Sequence, residues 1–193
     1  MKIANTDIPL VVRSPAEVFE SAGFEAYLVG GCVRDPMCGA TPTDWDLTTN
    51  AHPDEIQDLF PEHYANNDFG TVGVKTEDED ERLKIIEVTP YRSESGYSDL
   101  RRPDTVTFGV SLDEDLSRRD FTVNALAYRI KTDTLVDHFD GQADLKAKRL
   151  RTVGDAHERF NEDALRMMRA VRLAAELGFV IDTATMTAIT ENS

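Results

Sequence analysis

An apolar run that stops at two adjacent glycines, followed shortly by two aspartates one residue apart, constrains this chain more than any other stretch. It reads Tyr27-Leu-Val-Gly-Gly-Cys-Val-Arg-Asp35, then Asp44-Trp-Asp46-Leu-Thr-Thr49. Paired glycines permit a sharp turn or the close approach of another group. Gly30 and Gly31 are expected to form the entrance of a short helix over 32–37. A helix entrance presents free N–H groups and favours anions, phosphate above all. Arg34 adds positive charge in the same turn. Asp44 and Asp46, at i and i+2 of a second strand, point to one face. Like charges held that close repel unless a cation lies between them. Paired carboxylates beside a phosphate cradle point to Mg²⁺ held against a nucleotide triphosphate. Taken singly, the glycines are a plain turn and the aspartates a solvated loop; together they favour metal-assisted phosphoryl chemistry.

The 193 residues suffice for one domain, or one and a fragment. A net charge of −15 argues against a broad nucleic-acid surface, which needs clustered Lys and Arg. The arginines nevertheless gather locally, at 92, 101, 102, 118, 119 and from 149 to 172, inside an acidic coat. Cys32 and Cys38 are too close to staple a fold and fit a reduced, cytoplasmic protein. The four histidines have no zinc spacing. No apolar run is long enough to span a membrane, so no membrane partner is expected.

Along the chain, residues 8–12 read as an arm. Ser14-Pro15 with Glu17 reads as a helix opening, and Gly23 as its stop. A further helix is expected from Asn50 or His52-Pro53 to Phe60, and a turn and strand over 68–74. Residues 77–81 form a charged hairpin tip, and alternation over 83–89 puts Leu83, Ile85, Glu87 and Thr89 on one mostly apolar row. Glu87 is then either an edge residue or a third acid near the metals, able to take a proton from an attacking hydroxyl. The polar stretch 92–103 predicts a long, mobile loop. Arg118 and Arg119 precede what reads as a buried helix start over 123–128, where cations are costly unless they meet anions. Residues 156–177 read as one long helix with Phe160, Ala164, Met168, Val171 and Ala175 as its buried stripe. Glu162, Arg166 and Arg169 form a second stripe, flanked by Asp163. Such a stripe is ordinarily salt bridging, but Asp and Arg one turn apart can also read a base edge. The chain stops inside a further helix, so it is expected to be cut from a longer protein.

Five motifs now stand in order: Leu28-Val-Gly-Gly-Cys-Val-Arg-Asp35 with Asp44-x-Asp46; Glu87-Val-Thr-Pro-Tyr-Arg92; Arg118-Arg-Asp-Phe-Thr-Val-Asn-Ala125; Asp137-x-x-Asp-Gly-x-x-Asp-Leu145; and Arg159-Phe-x-Glu-Asp-Ala-Leu-Arg166-x-x-Arg-Ala-Val-Arg172. In this order and spacing the chain resembles the bacterial class II CCA-adding enzyme and poly(A) polymerase family, within the polymerase-beta-like nucleotidyltransferases. The resemblance implies an α+β fold: a head with a small mixed sheet and flanking helices over 1–150, then the first helices of an α-helical neck over 151–193. It implies that Asp44 and Asp46 hold two Mg²⁺ ions, with Glu87 a further catalytic carboxylate. It implies that Gly30, Gly31 and Arg34 line the triphosphate cradle. Arg118, Arg119, Asp120, Asn124 and Arg169 are implied as nucleotide contacts, Asp163 and Arg166 as the template that pairs with C or A, and Asp137 as a link between head and neck. The implied activity is transfer of CMP and AMP from CTP and ATP to a tRNA 3′ end, with release of pyrophosphate. The tRNA is expected to be held mainly by regions beyond this chain. The loop around Gly96-Tyr-Ser98, with Arg101, Arg102 and Asp104, resembles one that helps the change from C to A addition. Poly(A) addition, or addition of only CC or only A, is the alternative within the family; a head that binds nucleotide yet is inert alone is the alternative outside it.

Overall fold

The computed structural model describes residues 3, 5–65 and 69–192. The elements in chain order are α1 (Leu10–Ser21), β1 (Ala26–Val29), α2 (Gly31–Met37), β2 (Asp46–Thr49), α3 (Pro53–Leu59), β3 (His63–Ala65), β4 (Val72–Lys75) and β5 (Ile85–Pro90). There follow β6 (Arg92–Ser95), β7 (Thr105–Phe108), α4 (Leu112–Ser117), β8 (Ala127–Arg129), β9 (Thr134–Val136), α5 (Gly141–Ala147) and β10 (Arg149–Leu150). The last are α6 (Ala156–Glu162), α7 (Leu165–Leu177), β11 (Val180–Ile181) and α8 (Thr183–Asn192). Asp68, at the head of an expected turn, lies outside the described residues.

Among the described residues, seven strands form one sheet in the order β3-β4-β5-β2-β1-β8-β9. The sheet is mixed: β2 runs parallel to β5 and antiparallel to β1. Strand alternation divides its side chains between two faces. Leu28, Leu47, Ile86 and Val88 meet Val12, Ala16 and Phe19 of α1 and Val33 of α2 in the main core. Tyr27 and Val29 point the other way, into a smaller cluster with Tyr91, Leu116 and Ala127. Asp46 stands opposite both Val29 and Glu87, so this second face carries the acids. The same core includes Ala170 and Leu173 of α7 beside Phe121 and Leu145. The parallel pairing of β10 with β11 also ties the last helices to the sheet half.

The α+β architecture, a mixed sheet flanked by helices and followed by further helices, is the one expected. Several local expectations are corrected. The first helix begins at Leu10 with Pro9 before it, and Pro15 lies inside it. Residues 8–12 are no arm, because Ile8, Val12, Ala16 and Phe19 form one buried stripe that outweighs the Ser-Pro opening signal. Residues 123–128 do not start a helix. A 3₁₀ turn over Thr122–Asn124 leads into β8, which the sheet claims between β1 and β9. On β5 the row holding Ile85 and Glu87 faces outward, and Ile86, Val88 and Pro90 form the buried row.

In the stretch 92–103, residues 96–103 form neither helix nor strand, but Arg92–Ser95 is a strand paired along its length with Thr105–Phe108. Its few apolar residues misled because charge holds it: Arg92 Nε meets Glu94 at 2.8 Å and Arg118 Nη1 meets Glu94 at 3.1 Å. The long helix is also broken. Asp163 is extended at φ −142°, ψ 104°, and its Oδ1 accepts the Leu165 N–H at 2.9 Å. A short carboxylate that bonds its own backbone competes with helix continuation. The break shifts the phase, so Met168 and Val171, expected inside, are 70% and 53% exposed, while Arg166, Ala170 and Leu173 turn inward.

Gly141 opens α5 where a Cβ would land on the Thr122 carbonyl oxygen and crowd Leu126. Backbone oxygen cannot move aside cheaply, so Gly141→Ala is expected to lose about 1–3 kcal/mol. Urea unfolding measures this, and a change below about 0.5 kcal/mol would contradict the packing described.

Candidate active site

The site begins at the end of β1. Gly30 takes φ +75°, a backbone that L side chains rarely adopt, and turns the chain into α2. A Cβ on Gly30 would lie 3.7 Å from Asp46 Oδ2 and 3.9 Å from Arg119 Nη1. A Cβ on Gly31 would lie 3.5 Å from Arg34 Nη2 and 3.6 Å from Asp44 Oδ1. With Asp35 Oδ2 at 3.8 Å from the Gly31 position, the glycine pair is ringed by three carboxylates and two guanidinium groups. Asp44 precedes β2 instead of lying within it, a small correction. The two aspartates still share a side because Trp45 between them is buried in the main core.

Burial, then Asp44, then Glu87 push the Asp46 carboxyl up to about 7, against the pull of Arg119. Burial disfavours the charged form, and neighbouring like charges add to that effect. Two hard oxygen ligands suit Mg²⁺, which usually takes one or two carboxylates and leaves its other positions to phosphate and water. Glu87 sits next to Asp46 across the ladder but stands outside the cleft lining. Among the described residues, no three acidic, His or Cys side chains converge as a metal cluster. Cys32 lies beneath the turn, and burial, with Asp46 second, pushes its thiol up to about 12, so it is inert at neutral pH.

Opposite the acids stands an arginine network. Asp115 of α4 is fully buried and accepts Arg118 Nη2 at 2.7 Å and Arg119 Nη2 at 3.1 Å. Burial raises its pKa, but Arg119 and Arg118 outweigh that and hold it below the usual range. Asp120 accepts Arg169 Nε at 2.9 Å and Nη2 at 2.6 Å on one oxygen, and Asn124 Nδ2 at 3.1 Å on the other. Asn124 in turn accepts Arg34 Nη1 at 2.6 Å. Burial pushes the Asp120 carboxyl up, yet Arg169 and Asn124 bring it below its ordinary value. Asp120, expected as a direct ligand, therefore spends both oxygens on protein donors here.

The α6–α7 break forms the far wall. Arg166 is 8% exposed, donates to Glu162 Oε2 at 2.7 Å, and reaches the Arg118 carbonyl at 3.2 Å. Asp163 Oδ2 accepts no hydrogen bond among the described residues. A cleft of about 1020 Å³ lies between these walls. Its lining includes Gly30, Gly31, Arg34, Asp44 and Asp46 from the turn side. Arg118, Arg119, Asp120, Asn124, Asp163, Arg166 and Arg169 are among the residues that line it from the other side. Asp137 is elsewhere, capping α5 through bonds to the Gly141 and Gln142 amides at 2.7 and 3.0 Å.

Sequence reasoning missed Asp115 and Glu94 and gave Arg92 no role, although Arg92 and Glu94 line the cleft together with Tyr97. Asp115 was visible as the acid three and four residues before the paired arginines, a helix spacing that brings side chains together. Glu94 pairs locally with Arg92, but the partner that ties it to the paired arginines, Arg118, is 24 residues away.

A mixed sheet bearing paired carboxylates at a Gly-Gly turn, with helices closing a basic cleft over it, defines a polymerase-beta-like nucleotidyltransferase head. A family model described as "Poly A polymerase head domain" matches residues 26–151, and the chain belongs to that family. The chain is 49% identical over 184 residues to a CCA-adding enzyme of Levilactobacillus brevis, covering 95% of this chain and 45% of that protein. It is 50% identical over 178 residues to a CCA-adding enzyme of Latilactobacillus sakei, covering 92% and 43%. Among solved structures, it matches the Bacillus stearothermophilus CCA-adding enzyme in complex with CTP with a TM-score of 0.84 and 38% identity, covering 96% of this chain and 44% of that one. The chain thus spans less than half the length of the curated relatives it matches. Among the described residues, no helix is long and apolar enough to cross a membrane.

A raised Asp46 pKa has a stability consequence. The folded state keeps the Asp46 proton to about pH 7, whereas the unfolded chain releases it near 3.8. The contribution of Asp46 to stability is therefore full below about pH 4 and declines as pH rises towards 7. Asp46→Asn removes that cost, and without divalent ions it is expected to stabilise the chain at pH 8 by roughly 2–4 kcal/mol. The gain should vanish near pH 4. Urea unfolding across this range tests it, and a destabilised variant at pH 8 would refute the electrostatic account.

Proposed function

We propose that this chain is the catalytic head, residues 1–150, and the first neck helices, 151–193, of a tRNA nucleotidyltransferase that adds CCA. The observation carrying this reading is the convergence in one cleft of paired carboxylates, a glycine-lined cradle and the Asp163–Arg166 wall. The relatives named as CCA-adding enzymes, at about half identity, support the choice within the family.

In this reading Asp44 and Asp46 hold Mg²⁺, as two ions. Bound there, the metal lowers the pKa of an attacking hydroxyl and neutralises charge on the triphosphate. Arg34 and Arg119 draw the triphosphate over the Gly30–Gly31 turn, where the absence of side chains lets phosphate approach the backbone. Glu87, beside Asp46 in the ladder, supplies a third carboxylate towards the primer hydroxyl. Asp163 offers its open Oδ2 to the amino group of C or A; G and U present an oxygen there instead. Arg166 keeps its Nε–H for a ring acceptor, since its bonds to Glu162, Arg159 and Arg118 use only the two terminal nitrogens. Asp137 stiffens the entry to α5 and so belongs with the link between head and neck. The tRNA 3′ end is the acceptor, held mainly by regions outside this chain.

The full-length protein supplies the test of chemistry. With CTP and ATP, a tRNA ending at the discriminator base should gain three residues and stop. Asp44→Ala and Asp46→Ala should abolish transfer and keep the fold. Long A tails on unstructured RNA point to poly(A) addition, a halt at CC to the partial enzyme, and normal transfer by either variant removes the metal assignment.

Base choice is tested on the chain itself. Calorimetry with the four nucleoside triphosphates and Mg²⁺ should rank CTP and ATP about tenfold above UTP and GTP, the value of one or two buried hydrogen bonds. Equal binding of CTP and UTP would overturn the role given to Asp163.

A further inference from the structure

Asp115 has an unusual place for a carboxylate. It is entirely buried, on a helix laid against the face of the sheet that carries the acids. Both oxygens are occupied: Oδ1 by Arg118 Nε and Nη2 and by the Arg92 amide, Oδ2 by Arg119 Nη2 and by Thr48 Oγ1 at 3.4 Å. Thr48 is two residues beyond Asp46 on the same strand and face. Asp115 is therefore anchored one step along the ladder from the carboxylate proposed to hold metal.

The two arginines that it grips are not equivalent. Arg118 is taken up by the protein, with Glu94, Asp115 and the Arg92 carbonyl as acceptors. Among the described residues, the Arg119 side chain is held only through Nη2 and its buried Nε has no acceptor, while its Nη1 lies by the Gly30 turn. A buried donor left without a partner costs free energy, which an acceptor arriving from outside would recover. Asp46 is the competing attraction, since Arg119 already acts on its charge. Without Asp115, Arg119 would be drawn onto Asp46, filling the cradle and neutralising a metal ligand.

We propose that Asp115 is a positioning residue that holds Arg119 off Asp46 and presents it to the triphosphate of the incoming nucleotide. This rests on the reading of the cleft as a nucleoside triphosphate site. Asp115 touches no substrate; it acts through Arg119.

The test is calorimetric titration of this chain with CTP, CMP and inorganic tripolyphosphate in Mg²⁺. Asp115→Asn is expected to weaken CTP and tripolyphosphate about tenfold, the worth of a charge-assisted hydrogen bond, while CMP changes less than about twofold. A merely structural role would weaken CTP and CMP alike and leave their ratio unchanged, which overturns the proposal. In an Arg119→Gln background, Asp115→Asn should change the ratio less than about twofold, because the residue through which it acts is gone. An undiminished effect there also overturns it. Thermal melts report whether each variant folds. Should Asp115→Asn not fold, Asp115→Glu keeps the charge but sets the carboxylate one methylene further out. It should lower the CTP-to-CMP ratio about threefold with Arg119 present and not without it; an unchanged ratio is refutation. A wild-type chain that binds neither CTP nor tripolyphosphate removes the reading of the cleft itself, whereas wild-type binding with an unchanged ratio in the variants removes only the role of Asp115.

Discussion

Asp46 stands in register between Val29 and Glu87, with Asp44 beside it, so acids meet where burial already disfavours charge. The rest of this face answers that repulsion. Glycine at 30 and 31 keeps the space above the acids open, and Arg119 supplies the one cationic influence acting on Asp46 among the described residues. A protein selected for stability alone would fill such a place with apolar side chains. Keeping it open, with carboxylates crowded around it, makes sense when a cation and a polyanion arrive together and each relieves the other's electrostatic cost.

The parts of this site that were legible in the sequence are those whose chemistry depends on near neighbours in the chain. Gly30-Gly31 after an apolar run gave the turn and the short helix. The spacing of Asp44 and Asp46 gave their common side, and burial of Trp45 is the reason that it holds even before the strand begins. Where the reading went astray, distant contacts had decided. Composition made 92–95 part of a loop because apolar anchors were sought, while Glu94 is anchored by Arg118. Periodicity made 156–177 one helix because Asp163 fits a helical stripe by position; its carboxylate bonds the Leu165 amide instead, and the Ala164 N–H goes to the Leu100 carbonyl at 2.9 Å. The same misreading put Met168 and Val171 inside. A break of two residues in a helix rotates everything after it, so one missed cap changed the face of α7.

The net charge of −15 and the basic cleft are compatible once charge is located. Asp80 and its acidic neighbours lie on the exposed β4–β5 hairpin, where water screens them. Several arginines of the cleft are paired: Arg118 with Asp115 and Glu94, Arg166 with Glu162, and the half-exposed Arg169 with Asp120. Such pairs contribute little net stability, because taking charges out of water costs nearly what their attraction returns. Their value lies in orientation. A guanidinium with some donors fixed to protein has its remaining donors aimed, and it binds phosphate without first having to be ordered.

That logic extends from the phosphate side of the cleft to its far wall. Arg166 donates to the Arg118 carbonyl, Arg169 grips Asp120, and Asp120 reaches Arg34 through Asn124. The helix that carries Arg166, its preceding Asp163, and the turn that carries Gly30 are therefore joined by an unbroken run of charge-assisted bonds. In the proposed reading, one end of this run meets the triphosphate and the other meets the base. A shift of α7 by the width of a hydrogen bond would have to break the Arg169–Asp120 pair or carry Asn124 and Arg34 with it. Base selection and phosphate binding are then not separate tasks given to separate parts of the chain. In that reading both rest on where α7 is pinned, and part-buried side-chain bonds between partners 49 residues apart do the pinning.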